Sequence, residues 1–401
     1  MKTALLMAGA IASACLMAAA GSAGAAPAPG PVVKTNTVSA LLPNTYWTPE
    51  RFRAAKALDL PMAAPGQRHE QSLSAPTAGK AVSSDPGLPT IDLNQPATRL
   101  FTPIEGKTSL LEGDDAAAAS LATRSDEEQV TPTAVGTFGA YYTSTRVFPM
   151  FTGSAAPYSA DRAYPYRTVG KLFFSINGVP YLCSASVIQR RIVATAGHCV
   201  HSGNLATGFY SDFVFVPAYR DGVAPFKTWN WRVVTTTYTW ATGNGVVPNA
   251  ADYAMIEFDD QSLSTGAPPS RLGTVTGWLG WQTNSLTPNH TSKLGYPCNL
   301  DACQKMQDVT SNSFRTTDPN NVEYGSDARG GSSGGPWVQN FQLVQVGGGT
   351  GLQTGSNRVV GVTSYGYVSP DPKVQGASNP DGRWVGLFTL LCSLRAGNCT
   401  P

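Results

Sequence analysis

The chain has 401 residues and a formal net charge of +2, with 13% charged residues where a globular protein usually has about a quarter. So neutral a balance gives no electrostatic case for nucleic acid or an anionic membrane surface as the main partner. The length exceeds one ordinary domain, and 41 glycines with 30 prolines call for many turns between short strands, which predicts an all-β body.

Met1 to Ala25 reads as a secretory signal: Lys2 opens it, Ala4 to Ala20 is apolar, and Ala23-Gly24-Ala25 supplies small residues for cleavage. Export to the periplasm or the medium follows, with no membrane span elsewhere. Residues 26–146 are rich in Ala, Pro, Ser and Thr, with linker-like Pro27-Ala28-Pro29-Gly30-Pro31 and Ala75-Pro76-Thr77-Ala78-Gly79. This block is expected to be a propeptide or flexible extension of little regular structure. Only Pro49 to Leu60 carries a helical pattern, with Phe52 and Ala55 on one side. Arg124 and Arg146 bracket the stretch where processing is expected, which leaves 147–401 as the mature body.

Past Val169 the texture changes. Gly170–Ile176 and Tyr181–Ile188 are strand candidates around Asn177-Gly178, a hairpin turn signal. Further candidates are 191–194, 213–216, 231–238, 253–258, 337–345 and 358–364. Short strands with turns between them suit a sandwich or barrels.

Seven cysteines become six once a signal carrying Cys15 is removed, and an even number in an exported chain predicts disulfides. Clustering suggests Cys183–Cys199, Cys298–Cys303 and Cys392–Cys399, although the sequence alone admits other pairings. The short pairs lack the histidine partners and spacing of zinc motifs, so no metal is expected.

Three segments carry chemistry. Ala194-Thr195-Ala196-Gly197-His198-Cys199 ends an apolar strand with a histidine, the residue best suited to take a proton near neutral pH. Ala251-Asp252-Tyr253-Ala254-Met255-Ile256 offers a carboxylate just before an apolar strand, whereas Asp259 and Asp260 fall in a polar turn. Gly331-Ser332-Ser333-Gly334-Gly335-Pro336 places serine on a loop whose backbone amides can face an oxyanion. A serine hydroxyl needs an adjacent base to act as a nucleophile.

The three together, in the order His, Asp, Ser, resemble the chymotrypsin/trypsin-like serine peptidases. Within them, Gly295-Tyr296-Pro297 and Gly330-Gly331-Ser332-Ser333-Gly334 resemble the bacterial branch that includes the glutamyl endopeptidases. The resemblance spans about residues 165–390. It implies two antiparallel β-barrels and a His198–Asp252–Ser333 triad. It also implies an oxyanion hole from the amides of Gly331 and Ser333, and a disulfide behind the histidine. Two departures stand out: Gly197 replaces an alanine, and Ala251 an asparagine. Ser332 stands where zymogens of this kind keep an aspartate, so activation by an ion pair to a new N-terminus is not expected.

The resemblance also implies that Thr363-Ser364-Tyr365-Gly366 lines the substrate cleft, with Ser364 near Asp252 and an antiparallel substrate strand. Asp327, six residues before Ser333, stands where a carboxylate would receive a cationic P1 side chain; some glutamyl endopeptidases also carry aspartate there, which keeps glutamate as the alternative, although Thr363 replaces the histidine that reads it. The sequence thus predicts a secreted, monomeric endopeptidase that needs no cofactor and acts on polypeptides. Its alternatives are a silent protease-fold binding protein, or a peptidase or esterase with one narrow substrate.

Overall fold

The computed structural model describes residues 29–37, 45–62, 79–91, 98–102, 141–147, 149–150, 158–342, 353–367 and 373–399. The signal segment, Arg124 and most of the linker at 75–79 lie outside these.

Strand β1 (Val169–Ile176) turns into β2 (Val179–Gln189) through Asn177 and Gly178. Both turn residues have positive φ, 51° and 80°, as a tight hairpin matching strand twist requires. Then follow β3 (Ile192–Thr195), β4 (Ser211–Pro217), β5 (Trp229–Thr236) and β6 (Ala254–Phe258). Their order, β5-β4-β1-β2-β3-β6, closes on itself because β5 also pairs with β6. Leu172, Val187, Val193, Phe215, Val234 and Ile256 are fully buried. Each such side chain contributes about 1.5–3 kcal/mol by leaving water.

The second layer comprises β7 (Gly280–Gln282), β8 (His290–Gly295), β9 (Gln307–Thr317), β10 (Asn321–Gly325), β11 (Pro336–Gln339), β12 (Arg358–Val362), β13 (Tyr365–Gly366) and β14 (Val374–Ser378). The order is β13-β14-β10-β9-β8-β11-β12-β7, antiparallel except for β7 on β12. Trp337, Tyr324, Leu286 and Val360 fill its centre. The all-β architecture expected from the sequence is therefore present, a closed barrel beside a second wound sheet.

Among the described residues four short helices accompany the sheets: α1 (Pro49–Ala54), α2 (Tyr238–Ala241), α3 (Leu272–Thr276) and α4 (Gly382–Leu394). Sequence reading did not foresee α4. Asp381 caps it by accepting from the Arg383 amide. It joins the two layers, with Trp384 against Tyr253 at 5.4 Å and Phe388 against Trp281 at 4.9 Å.

Several boundaries differ from expectation. Helix α1 stops at Ala54 because Lys56–Ala57 goes on to pair with β2, a tertiary contact that overrides the helical pattern. The strand expected to reach Tyr238 ends at Thr236, where Thr237 caps α2 by accepting from the Trp240 amide. Strand β11 ends at Gln339, since Asn340 turns to positive φ; 343–345 lie outside the described residues. The described pieces of the N-terminal extension have little regular structure of their own, and borrow it from the body. Val32–Thr35 adds to β5, Lys56–Ala57 to β2, Ser83–Ser84 to β7, and Tyr142–Arg146 to β9.

Candidate active site

His198 sits in a one-turn 3-10 segment, Gly197–Cys199, directly after β3. The Cys183–Cys199 disulfide ties that turn to β2, and the other two bridges, Cys298–Cys303 and Cys392–Cys399, also close. Asp252 is fully buried just before β6, which lies beside β3 in the barrel. Its Oδ1 accepts from the His198 amide at 2.8 Å, while Oδ2 lies 2.8 Å from His198 Nδ1 and accepts from Ser364 Oγ at 2.6 Å. One carboxylate thus fixes the backbone and the ring of the histidine, an arrangement that favours the proton on Nδ1 and leaves a lone pair on Nε2.

Gly197 has a specific reason to be glycine. A Cβ there would lie 2.7 Å from the Trp240 ring and 2.9 Å from Asp252 Oδ1. Trp240 fills that space, its ring 6.1 Å from that of His198 and its Nε1 donating to the His201 carbonyl at 2.9 Å.

The serine loop is laid against the same strand ends. Ser184, next to Cys183, donates its amide to the Ser333 carbonyl at 2.8 Å. A Cβ on Gly334 would collide with Thr195 Oγ1 and the Ala196 amide, so the loop packs two residues from His198. Gly334 and Gly331 hold φ of +75° and +93°, conformations open to glycine. Among the described residues, neither the Gly331 nor the Ser333 amide has an intramolecular acceptor, and both remain available as oxyanion donors.

Two residues that sequence reading missed set this loop. Gln375 Nε2 donates to Ser332 Oγ at 2.9 Å and to the Ala328 carbonyl at 3.0 Å, while its Oε1 accepts from Ser326 Oγ at 2.8 Å. Ser332 Oγ in turn donates to the Arg329 carbonyl at 2.7 Å. A neutral amide therefore pins the loop where an ion pair would otherwise do so. Ser184 is the second: its Oγ donates to the Gly331 carbonyl at 2.8 Å and accepts from the Tyr296 amide at 2.9 Å. No local motif surrounds either residue, so only the spatial pairing of distant strands exposes them.

His198 Nε2 and Ser333 Oγ are both buried, and neither has a hydrogen-bond partner. The histidine–aspartate link is made; the serine–histidine link is not, and such bonds commonly tighten only around substrate.

The proposed substrate residues separate in space. Ser364 meets Asp252 as expected. Thr363 turns inward, where its Oγ1 accepts from Trp337 Nε1 at 2.9 Å, and its backbone exchanges bonds with Gly334 and Gly335. Tyr365 is buried with its hydroxyl donating to Glu323 at 2.9 Å. Gly366 stays at the edge of its sheet. Asp327 keeps Oδ1 buried without a partner, while its carbonyl accepts from Asn299 Nδ2 at 2.9 Å. The rival acids are engaged elsewhere, Asp259 with Arg232 and Asp260 with Arg191. Cys183, Cys199 and His198 lie together, but a disulfide has no thiolate to offer a metal.

A closed barrel carrying a buried His–Asp pair, beside a second sheet presenting a serine between two positive-φ glycines, defines a chymotrypsin-type serine-hydrolase architecture. The chain belongs to the trypsin family: the family model described as Trypsin matches residues 159–380. It is 28% identical to the glutamyl endopeptidase of Bacillus licheniformis over 211 residues, which cover 51% of this chain and 58% of that protein. The extracellular metalloprotease of Bacillus subtilis is 25% identical over 188 residues, covering 46% of this chain and 55% of that one. The chain thus spans little more than half the length of these curated relatives. Among solved structures, the protease Anisep from Arthrobacter nicotinovorans is 26% identical, with a TM-score of 0.43, covering 53% of this chain and 90% of that chain. No helix among the described residues is long and apolar enough to cross a membrane.

Proposed function

We propose that the protein is a secreted serine endopeptidase that cuts polypeptides through His198, Asp252 and Ser333. The observation that carries this reading is the buried Asp252 carboxylate, which holds the His198 amide, the His198 ring and Ser364 together. Ser333 Oγ attacks the scissile carbonyl carbon while His198 Nε2 takes its proton. The amides of Gly331 and Ser333 receive the oxyanion, and His198 returns the proton to the departing amine. Water, activated by the same imidazole, then cleaves the ester and frees Ser333. The extended substrate pairs antiparallel with Ser364–Gly366.

At P1 we propose a cationic side chain, because the buried, unpartnered Asp327 Oδ1 favours a donor that carries charge. A fluorophosphonate probe should label Ser333 stoichiometrically in a chain whose cleft is open, and Ser333→Ala should abolish the label. An open-cleft chain that keeps Ser333 and still takes no label would leave the silent binding protein as the better reading. Cleavage sites in a denatured peptide mixture should follow Arg or Lys; sites following Glu would remove Asp327 from the role.

A further inference from the structure

We propose that Lys56–Met62 closes the cleft of its own chain by lying in it backwards, as a tethered inhibitor that the active site holds without cutting. This rests on the endopeptidase reading above and names how that site is kept silent.

The segment is anchored at both ends of the cleft. On the histidine side, Lys56 and Ala57 pair with Tyr181 and Leu182 of β2, and the Leu58 amide donates to the Leu182 carbonyl at 3.0 Å. Leu182 precedes Cys183, whose disulfide partner follows His198. On the other side, the Gly366 amide donates to the Pro61 carbonyl at 3.0 Å, and Met62 bridges Gly366. Between the anchors the chain crosses the serine loop. A Cβ on Gly330 would lie 3.4 Å from the Leu58 carbonyl oxygen and 3.7 Å from Asp59 Cα. A Cβ on Gly366 would lie 2.7 Å from Leu60 Cδ2. Leu60 is only 5% exposed, and His198 and Ser333 are buried as well.

Direction is the decisive feature. Both contacts are parallel: Lys56–Ala57 to β2, and Met62 to Gly366. A substrate strand that runs antiparallel along Ser364–Gly366 enters with the opposite sense. In the reversed chain, the amide nitrogen of each crossing peptide bond lies on the Gly366 side of its carbonyl. Transfer to Ser333 would have to expel that amine away from His198, which could not protonate it. The peptide bond therefore stays whole while the site is filled. The tether is firm, because Thr48 caps α1 and Phe52 packs on Trp47 at 4.8 Å and on Phe173 at 5.0 Å.

The test compares fluorophosphonate labelling of the full wild-type chain and of Leu60→Glu, which forces a charge into the buried position. Leu60→Glu should label at Ser333 at least tenfold faster, and a synthetic peptide of residues 56–62 should slow it again and be recovered intact. Labelling of both chains at equal rates, or cleavage of the peptide, would overturn the proposal while leaving the endopeptidase standing. A second measurement needs no turnover: a fluorescein-labelled 56–62 peptide should bind Ser333→Ala/Leu60→Glu at least tenfold tighter than Ser333→Ala, whose own segment competes. Equal binding overturns the docking. Tighter binding with no labelling of any chain keeps the docking and removes the hydrolase.

Discussion

The two layers hold their halves of the site by different means. In the closed barrel, His198 is held at the end of β3 by neighbours within the same barrel: the disulfide from Cys199 to Cys183, 16 positions earlier, and the Asp252 carboxylate, 54 positions on, which accepts from the histidine's own backbone. In the second sheet, Ser333 is placed by residues far away in the chain. Gln375 pins the loop from 43 positions beyond Ser332, and Ser184 reaches Gly331 from 147 positions before it. The ties on His198 stay within its own barrel, whereas those on the serine loop come from both layers, Ser184 from the barrel and Gln375 from the second sheet. The difference predicts where single changes do most harm and what kind of harm they do.

The largest effect should come from the barrel. Asp252→Asn keeps the shape of the carboxylate but offers an NH2 group where the His198 ring needs an acceptor. In the type enzyme of this family that exchange lowers kcat about 10⁴-fold, and a loss of that order is expected here. It should be measured as kcat/KM in the Leu60→Glu chain, with circular dichroism showing an intact fold; a loss below tenfold would show that Asp252 is not the orienting acid. Removing the neighbouring staple with Cys183→Ala/Cys199→Ala should lower unfolding stability by about 3 kcal/mol on the loop-entropy estimate, read from urea denaturation. Gln375→Leu tests the other half. Three polar partners lose their bonds, so the oxyanion loop should slacken and kcat fall about tenfold to 10²-fold, with KM moving far less. Should KM rise instead and kcat hold, the loop would be positioned without Gln375, and the contrast between the layers would fail.

That contrast also explains what could be read from the chain in advance. The hairpin at Asn177-Gly178 and the His198 segment are written in consecutive residues, where turn chemistry and apolar runs carry the signal. Strands β8, β9, β10 and β14 were not foreseen. Their runs mix Thr, Ser, Asn, Lys and Arg with few large apolar residues, as in Gln307–Thr317. Their interior accepts polar groups that satisfy one another. Glu323, fully buried, accepts from Arg315, Thr317, Tyr365 and Tyr367, and burial drives the Lys293 ammonium down to about 7. Hydrophobic periodicity is blind to such a core. The order His, Asp, Ser was legible because each motif is local; Gln375 was not, because nothing near it in the chain marks it.

The smallest effect is a pH dependence carried by one histidine of the barrel half. His201 is buried, packs edge-on to Phe209 at 4.7 Å, and accepts from the Gly203 amide through Nδ1 at 3.0 Å. Burial lowers its pKa to about 4 from the ordinary 6.5. The unfolded chain therefore binds a proton between those values that the folded chain refuses, and stability should fall as pH drops from 6.5 towards 4, then level off. Urea midpoints of the Ser333→Ala chain at pH 7 and 4.5 should differ in that sense. His201→Asn keeps an acceptor for the Gly203 amide yet cannot titrate, so it should shrink the difference while leaving the pH 7 midpoint nearly in place. A pH response unchanged by His201→Asn would remove His201 as its source, and Asp308 of the second sheet could not take its place. Burial raises the pKa of Asp308 to about 6, so its own contribution runs the opposite way, with stability falling as pH climbs from 3.8 to 6.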